Sequence, residues 1–145
     1  NWNGGKAPQG FSWKQSIDET GHSIHELHMG PFAEKMSQAL KEIVLTLAKK
    51  GHYIIIDDVA FGSHDVDVWR ETLKGYKVFW IGMKASLQEL ERREKGRDNR
   101  IQGSARAQYF KVHDDVVYDI EFDTSKESLE GIVQAIKGRV CPATC

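Results

Sequence analysis

Cysteine and proline are scarce in this chain of 145 residues, which holds two of the first and three of the second. Both cysteines, Cys141 and Cys145, sit in the tail 141–145, Cys-Pro-Ala-Thr-Cys. Two thiols build neither a disulfide framework nor a four-ligand zinc site, so free thiols in a reducing compartment are expected. Long apolar runs are missing as well. The longest, such as Tyr53–Ile56 and Val78–Met83, are far too short to cross a bilayer, and no membrane association is expected. No basic-then-apolar leader opens the chain, which points to the cytoplasm. The first residue is Asn1 rather than Met, which suggests a processed or trimmed chain. Charge of one sign is lacking too: the formal net charge is −1, so nothing global calls for a nucleic-acid partner. There is no repeat, no low-complexity tract and no linker.

What remains is ordinary for a globular protein, with 40% apolar and 28% charged residues. A single domain over residues 1–145 is expected, long enough to bury a core. The stretch His52-Tyr53-Ile54-Ile55-Ile56-Asp57-Asp58-Val59 organises it. Consecutive apolar, mostly β-branched residues predict a strand covered on both faces, as parallel sheets produce. Asp57 and Asp58 fall where that strand ends. In open parallel sheets the ligand crevice lies outside the carboxyl ends of the strands. Two readings stand side by side: the pair handles a metal ion or metal-bound phosphate, or it caps the turn into the next helix.

Residues 1–30 read as an irregular start followed by a β-hairpin, about Phe11–Ile17 and His22–His28 around Asp18-Glu19-Thr20-Gly21. His22, His25 and His28 invite a metal hypothesis, but on a strand His25 points away from the other two, and solvated histidines are expected. Gly30-Pro31 opens a helix in which Phe32, Met36, Ala39, Leu40, Ile43, Val44 and Leu47 recur at spacings of three and four, a stripe expected in the core. Lys49-Lys50-Gly51 ends it. A helix capped at Gly62-Ser63 carries Val66, Trp69 and Leu73, and a second apolar strand follows, Tyr76–Met83. Ser86 with Glu89 makes a capping box for a helix from Leu87 to about Lys95. Val116–Asp123 alternates like an edge strand, and Thr124 with Glu127 announces a last helix with Leu129, Ile132, Val133 and Ile136 facing inward. Strands alternating with helices predict an α/β fold, a parallel sheet with helices on both faces.

Between the second and third strands lies an arginine-rich segment, 92–106, with six cations against two anions. Guanidinium forks match phosphate oxygens in pairs, and Gly96 and Gly103 would let the segment close over a ligand. An arginine-bearing lid suits phosphoryl transfer, where charge spreads over the oxygens of the transferred group. The bland alternative is a solvated helix with ion pairs such as Glu89 with Arg93.

The residues Ile55-Ile56-Asp57-Asp58-Val59, Trp69, Val78–Gly82, Arg93, Arg97, Arg100, Gly103, Gln108, Val112-His113, Tyr118-Asp119 and Asp123–Ser128 together resemble the chloramphenicol phosphotransferase family, over roughly 22–137. These are small-molecule kinases on a P-loop parallel sheet. The resemblance implies transfer of the γ-phosphoryl of ATP to a hydroxyl of a small-molecule substrate, with Mg²⁺. Arg93, Arg97 and Arg100 would then form the lid over the triphosphate, with Arg97 and Arg100 the catalytic pair. Asp123 and Thr124 would begin the loop passing the adenine, and Asp57, with Asp58, would act on the metal. The chain departs from the pattern in lacking the first strand and the G-x-x-x-x-G-K-[ST] phosphate loop: Asn3-Gly4-Gly5-Lys6-Ala7 has no strand before it and no Ser or Thr after the lysine. The expectation is therefore a partial kinase fold, inactive without its phosphate loop. One alternative is a non-catalytic homodimer that repairs its open sheet with a second copy. A phosphoacceptor receiver domain ranks last, because its strands would need Ser or Thr and Lys where Gly82-Met83 and Asp123-Thr124 stand.

Overall fold

The computed structural model describes residues 7–140. The amino-terminal glycine-lysine stretch and both cysteines lie outside the described residues. Two short strands, β1 (Phe11–Ile17) and β2 (Ser23–Met29), form an antiparallel hairpin in which Phe11 faces Met29 and Ile17 faces Ser23. Its turn is made by Asp18, whose Oδ1 accepts from the backbone N–H of Thr20 (2.9 Å) and of His22 (2.8 Å) and from Thr20 Oγ1. Gly21 takes the left-handed conformation that closes it.

Helix α1 (Pro31–Lys49) begins with proline in its first turn, as the sequence predicts. Its start is anchored on the segment before β1: Gly30 N–H donates to Gly10 O (2.6 Å) and Phe32 N–H to Gln9 O (2.8 Å). A Cβ on Gly30 would lie 1.9 Å from Pro8 O, so only glycine fits this approach. Helix α2 (Ser63–Thr72) crosses α1, and Val44, Trp69 and Leu73 form a small core with Ile54, Val78 and Trp80 against it.

Strands β3 (Ile81–Lys84) and β4 (Ile120–Asp123) pair in parallel, Ile81 beside Ile120 and Lys84 beside Asp123. Between them run α3 (Leu87–Lys95) and α4 (Ser104–Tyr109), and α5 (Leu129–Val140) follows β4. The result is a mixed α/β molecule with two small sheets.

Three expectations are corrected. Residues 52–59 join no sheet: Ile54 turns inward, while Ile55 is 98% exposed and Tyr53 is fully exposed. A run this apolar needs neighbouring strands on both edges, and among the described residues no strand pairs with it. The stripe of α1 is not core either. Ala33 and Val44 are buried, but Phe32, Met36, Leu40 and Ile43 are about half exposed, since no described element covers that side. In α5 only Ile132 and Ile136 turn inward; Leu129 and Val133 do not.

Of the two expected capping boxes, the first is half formed and the second is not formed. Ser86 Oγ accepts from Glu89 N–H, but the Glu89 carboxylate is taken by arginines and Ser86 N–H donates to Ser125 Oγ instead. After β4, the Glu127 carboxylate accepts from Asp123 N–H rather than from Thr124, and Ser128 Oγ accepts from Gly131 N–H in the first turn of α5.

Candidate functional site

The arginine-rich segment is the end of α3, a loop and α4. Helix α3 forms because Ser86 caps it and Glu89 bridges Arg92 and Arg93 one turn on, both at 2.7 Å. The two guanidinium groups hold the Glu89 carboxyl down at about 2, well below the usual range. The loop is folded back by Glu94, which is only 6% exposed. One carboxylate oxygen accepts from Gly103 N–H (2.7 Å), the other from Ser104 Oγ and Ala105 N–H (both 2.7 Å). Gln102 Nε2 adds a bond to Glu94 O (3.2 Å).

That fold-back carries Arg97 and Arg100 to the wall of a cavity of about 220 Å³, whose lining also includes Val59, Met83, Tyr109 and His113. Val59 lies two residues beyond Asp57, so the arginines and the end of the 52–59 run share one crevice at the carboxyl end of β3. Among the described residues neither the Arg97 nor the Arg100 guanidinium has a hydrogen-bond or ion-pair partner. His113 Nδ1 and Tyr118 Oη share a hydrogen bond at 2.8 Å; burial first, and then Lys84, lowers the His113 pKa and favours its neutral form.

Arg93 is placed differently. Its guanidinium donates to Glu89, to Thr124 Oγ1 (3.0 Å) and to Thr124 O (2.8 Å), tying α3 to the end of β4. Thr124 in turn donates through both N–H and Oγ1 to Lys84 O. Asp123 pairs with Lys126 at 2.7 Å, and this contact lowers its pKa. So the structure bonds Arg93 to Thr124 and Asp123 to Lys126, and leaves the guanidinium groups of Arg97 and Arg100 without a partner among the described residues.

Asp58 accepts from Trp69 Nε1 at 2.9 Å, which fastens the 52–59 run to α2. Asp57 has no such bond among the described residues. No three His, Cys, Asp or Glu side chains converge as a metal site among the described residues. His22 bonds Thr20 and His25 bonds Gln102 O, so the hairpin histidines do not meet.

The sequence reading missed Glu94. A lone acid between Arg93 and Lys95 looks like a surface charge, and its burial depends on the chain returning nine residues later. Gly103-Ser104, a glycine and a hydroxyl at the start of a helix, was the available signal. Gly103 is left-handed (φ 86°), and a Cβ there would lie 2.6 Å from Ser23 O.

Parallel strand ends, a crossover helix and, among the described residues, two unpaired arginines at the rim define an α/β protein with a cationic crevice. The sequence model of the chloramphenicol phosphotransferase-like protein family matches residues 9–141, and the chain belongs to that family. It is 23% identical over 137 residues to two proteins of Mycobacterium tuberculosis, from strains CDC 1551 / Oshkosh and H37Rv, each named "Putative O-phosphotransferase". The match takes in 93% of this chain and 61% of each relative, so the chain spans about three fifths of their length. No helix among the described residues is long and apolar enough to cross a membrane.

Proposed function

We propose that this chain is the arginine-bearing part of an ATP-dependent phosphotransferase acting on a hydroxyl of a small molecule in the cytoplasm. The observation that carries the reading is the pair of unpartnered guanidinium groups, Arg97 and Arg100, in the crevice beside the 52–59 run. Both arginines are exposed at the cavity wall, where their guanidinium groups are open to an arriving anion. The residues fit a polyphosphate: two planar forks can each take two oxygens and offset the charge that spreads over a phosphoryl group in flight. ATP with Mg²⁺ supplies the phosphoryl group. Mg²⁺ needs only one or two carboxylates beside phosphate oxygens, and Asp57, the carboxylate without a described partner, suits that better than Asp58. Arg93 and Thr124 act one step back, bracing α3 on β4 so that the loop leaves at a fixed angle, and Asp123 shapes the turn beside them.

The uncovered edges of 52–59 and the apolar outer side of α1 support a finer reading of the fold. Here a P-loop kinase-like parallel sheet is completed by a strand, phosphate loop and helix outside the 145 residues, and the chain alone is inactive. Calorimetry with Mg-ATP tests it: no heat with the 145-residue chain and micromolar binding by a polypeptide extended upstream are expected. Equal binding by both would overturn it. The same uncovered surfaces favour a second reading, a non-catalytic homodimer that covers them with a second copy; sedimentation showing only monomer at tens of micromolar would reject it.

A further inference from the structure

We infer that His113 is a third cationic contact of the arginine crevice, one that takes up its proton only when a phosphate group is bound beside Arg97 and Arg100. This rests on the phosphotransferase reading above. His113 lines the cavity of about 220 Å³ together with both arginines. It is half-buried there, whereas the two arginines are exposed.

The imidazole is held by a stack that begins at Gly82. A Cβ on this residue of β3 would lie 2.7 Å from Tyr118 Cδ2, so the missing side chain is what lets the tyrosine ring rest on the strand. The Tyr118 and His113 rings then meet edge to face, with centroids 5.6 Å apart and planes at 70°, and Oη shares a hydrogen bond with Nδ1 at 2.8 Å. A further hydrogen bond joins His113 to the Met83 backbone and favours the charged ring, as an accepting carbonyl does. Charging the ring therefore breaks no bond. A phenol donates or accepts, so Tyr118 Oη can turn to accept from an imidazolium.

What opposes the charge is the surroundings. Burial does most to keep the ring neutral, and Lys84 comes next. Lys84 Nζ lies 5.8 Å from the Tyr118 ring centroid and pairs with Glu121 at 2.8 Å, and Glu121 favours the proton. From the arginine segment come Arg97, Arg100 and Glu94, the last with its carboxylate taken by Gly103, Ser104 and Ala105. Helix α4 adds Tyr109, and beside His113 in the chain stand Lys111, paired with Glu26, and then Asp114 and Asp115. A phosphate drawn in by the two guanidinium groups brings negative charge into the cavity that His113 lines. An opposite charge nearby favours the protonated ring. The proton comes from solvent, and no other group need change.

The probe is cyclic trimetaphosphate, which keeps its full charge across the neutral range, so any pH dependence of its binding belongs to the protein. It is titrated into the full-length protein by calorimetry in two buffers of different ionisation enthalpy, and the His113 ring is followed by NMR against pH with and without it. Because the charged ring favours the anion, affinity should rise about fivefold from about pH 8 to about pH 6, with net proton uptake on binding. The gain should level off once the ring is already protonated in the free protein. The NMR midpoint of His113 should move to higher pH when the probe is bound, a readout that needs no variant to fold. His113→Gln should abolish the uptake and hold affinity within about twofold over the same range. An unmoved His113 midpoint, or proton uptake that persists in His113→Gln, overturns the inference and leaves the phosphotransferase reading standing. If trimetaphosphate binds at no pH, the phosphotransferase reading falls and the inference falls with it.

Discussion

Among the residues of the site, Glu94 has the most consequence for the arginines without touching a ligand. Its carboxylate satisfies two backbone N–H groups and one hydroxyl, and so decides the path of the loop that carries Arg97 and Arg100. Glu94→Ala would strand those three donors in a poorly hydrated place, a loss of about 3 kcal/mol, read as a lower urea midpoint. Glu94→Gln keeps the shape and two of the bonds and should cost about half as much. Equal stability of Glu94→Ala and wild type would reject this role. Asp18 gives a pH prediction. The backbone N–H of His22 is the largest contribution that brings its carboxyl from 3.8 down to about 2, with help from Thr20 and Arg106. A carboxyl lowered by folding stabilises the native state above its unfolded pKa, and that stability is lost as pH falls through the folded value. Hairpin stability should therefore decline between about pH 4 and pH 2, and Asp18→Asn should flatten the decline. Amide exchange of β1 and β2 against pH measures it. A decline of the same size in Asp18→Asn would contradict it.

At the level of elements, the helices were the most readable part of the chain. Proline after Gly30, glycine after Lys50 and the Ser86 cap act within one turn, so their signals do not depend on the rest of the molecule. The hairpin was readable for the same reason, since Asp18 and Gly21 form its turn locally. The short helix α4 was not, because it depends on Glu94 ten residues earlier. Strands depend on neighbours. Tyr76–Met83 and Val116–Asp123 have the composition of strands, yet only Ile81–Lys84 and Ile120–Asp123 pair, and no described strand pairs with 52–59. If that run is a strand awaiting its neighbours, the amides of Tyr53 and Ile55 should exchange within seconds in the 145-residue chain and become protected at least a hundredfold in an upstream-extended polypeptide. Fast exchange in both would show that the run is a surface loop. Gly103 ties hairpin to helix: Gly103→Ala adds positive-φ strain and a 2.6 Å clash with Ser23 O, and should destabilise the protein by about 2 kcal/mol or more in urea denaturation.

For the whole molecule, the uneven exposure of its apolar residues is the central fact. One side has a small, well-made core around Trp69; the other shows half of the α1 stripe and nearly all of 52–59 to water. The arginine site lies at the carboxyl end of β3, beside Val59 at the end of that run. The sequence made the candidate arginines visible through their density in 92–106, but not their division of labour. Arg93 spends its hydrogen bonds on Thr124, whereas Arg97 and Arg100 keep theirs free, and only the folded loop distinguishes them. That distinction can be measured directly by titrating Mg-ATP into the full-length protein and its single arginine variants. The account predicts that Arg97→Ala and Arg100→Ala each weaken binding at least tenfold with the urea midpoint unchanged, while Arg93→Ala lowers the urea midpoint. Wild-type affinity in both Arg97→Ala and Arg100→Ala would contradict it.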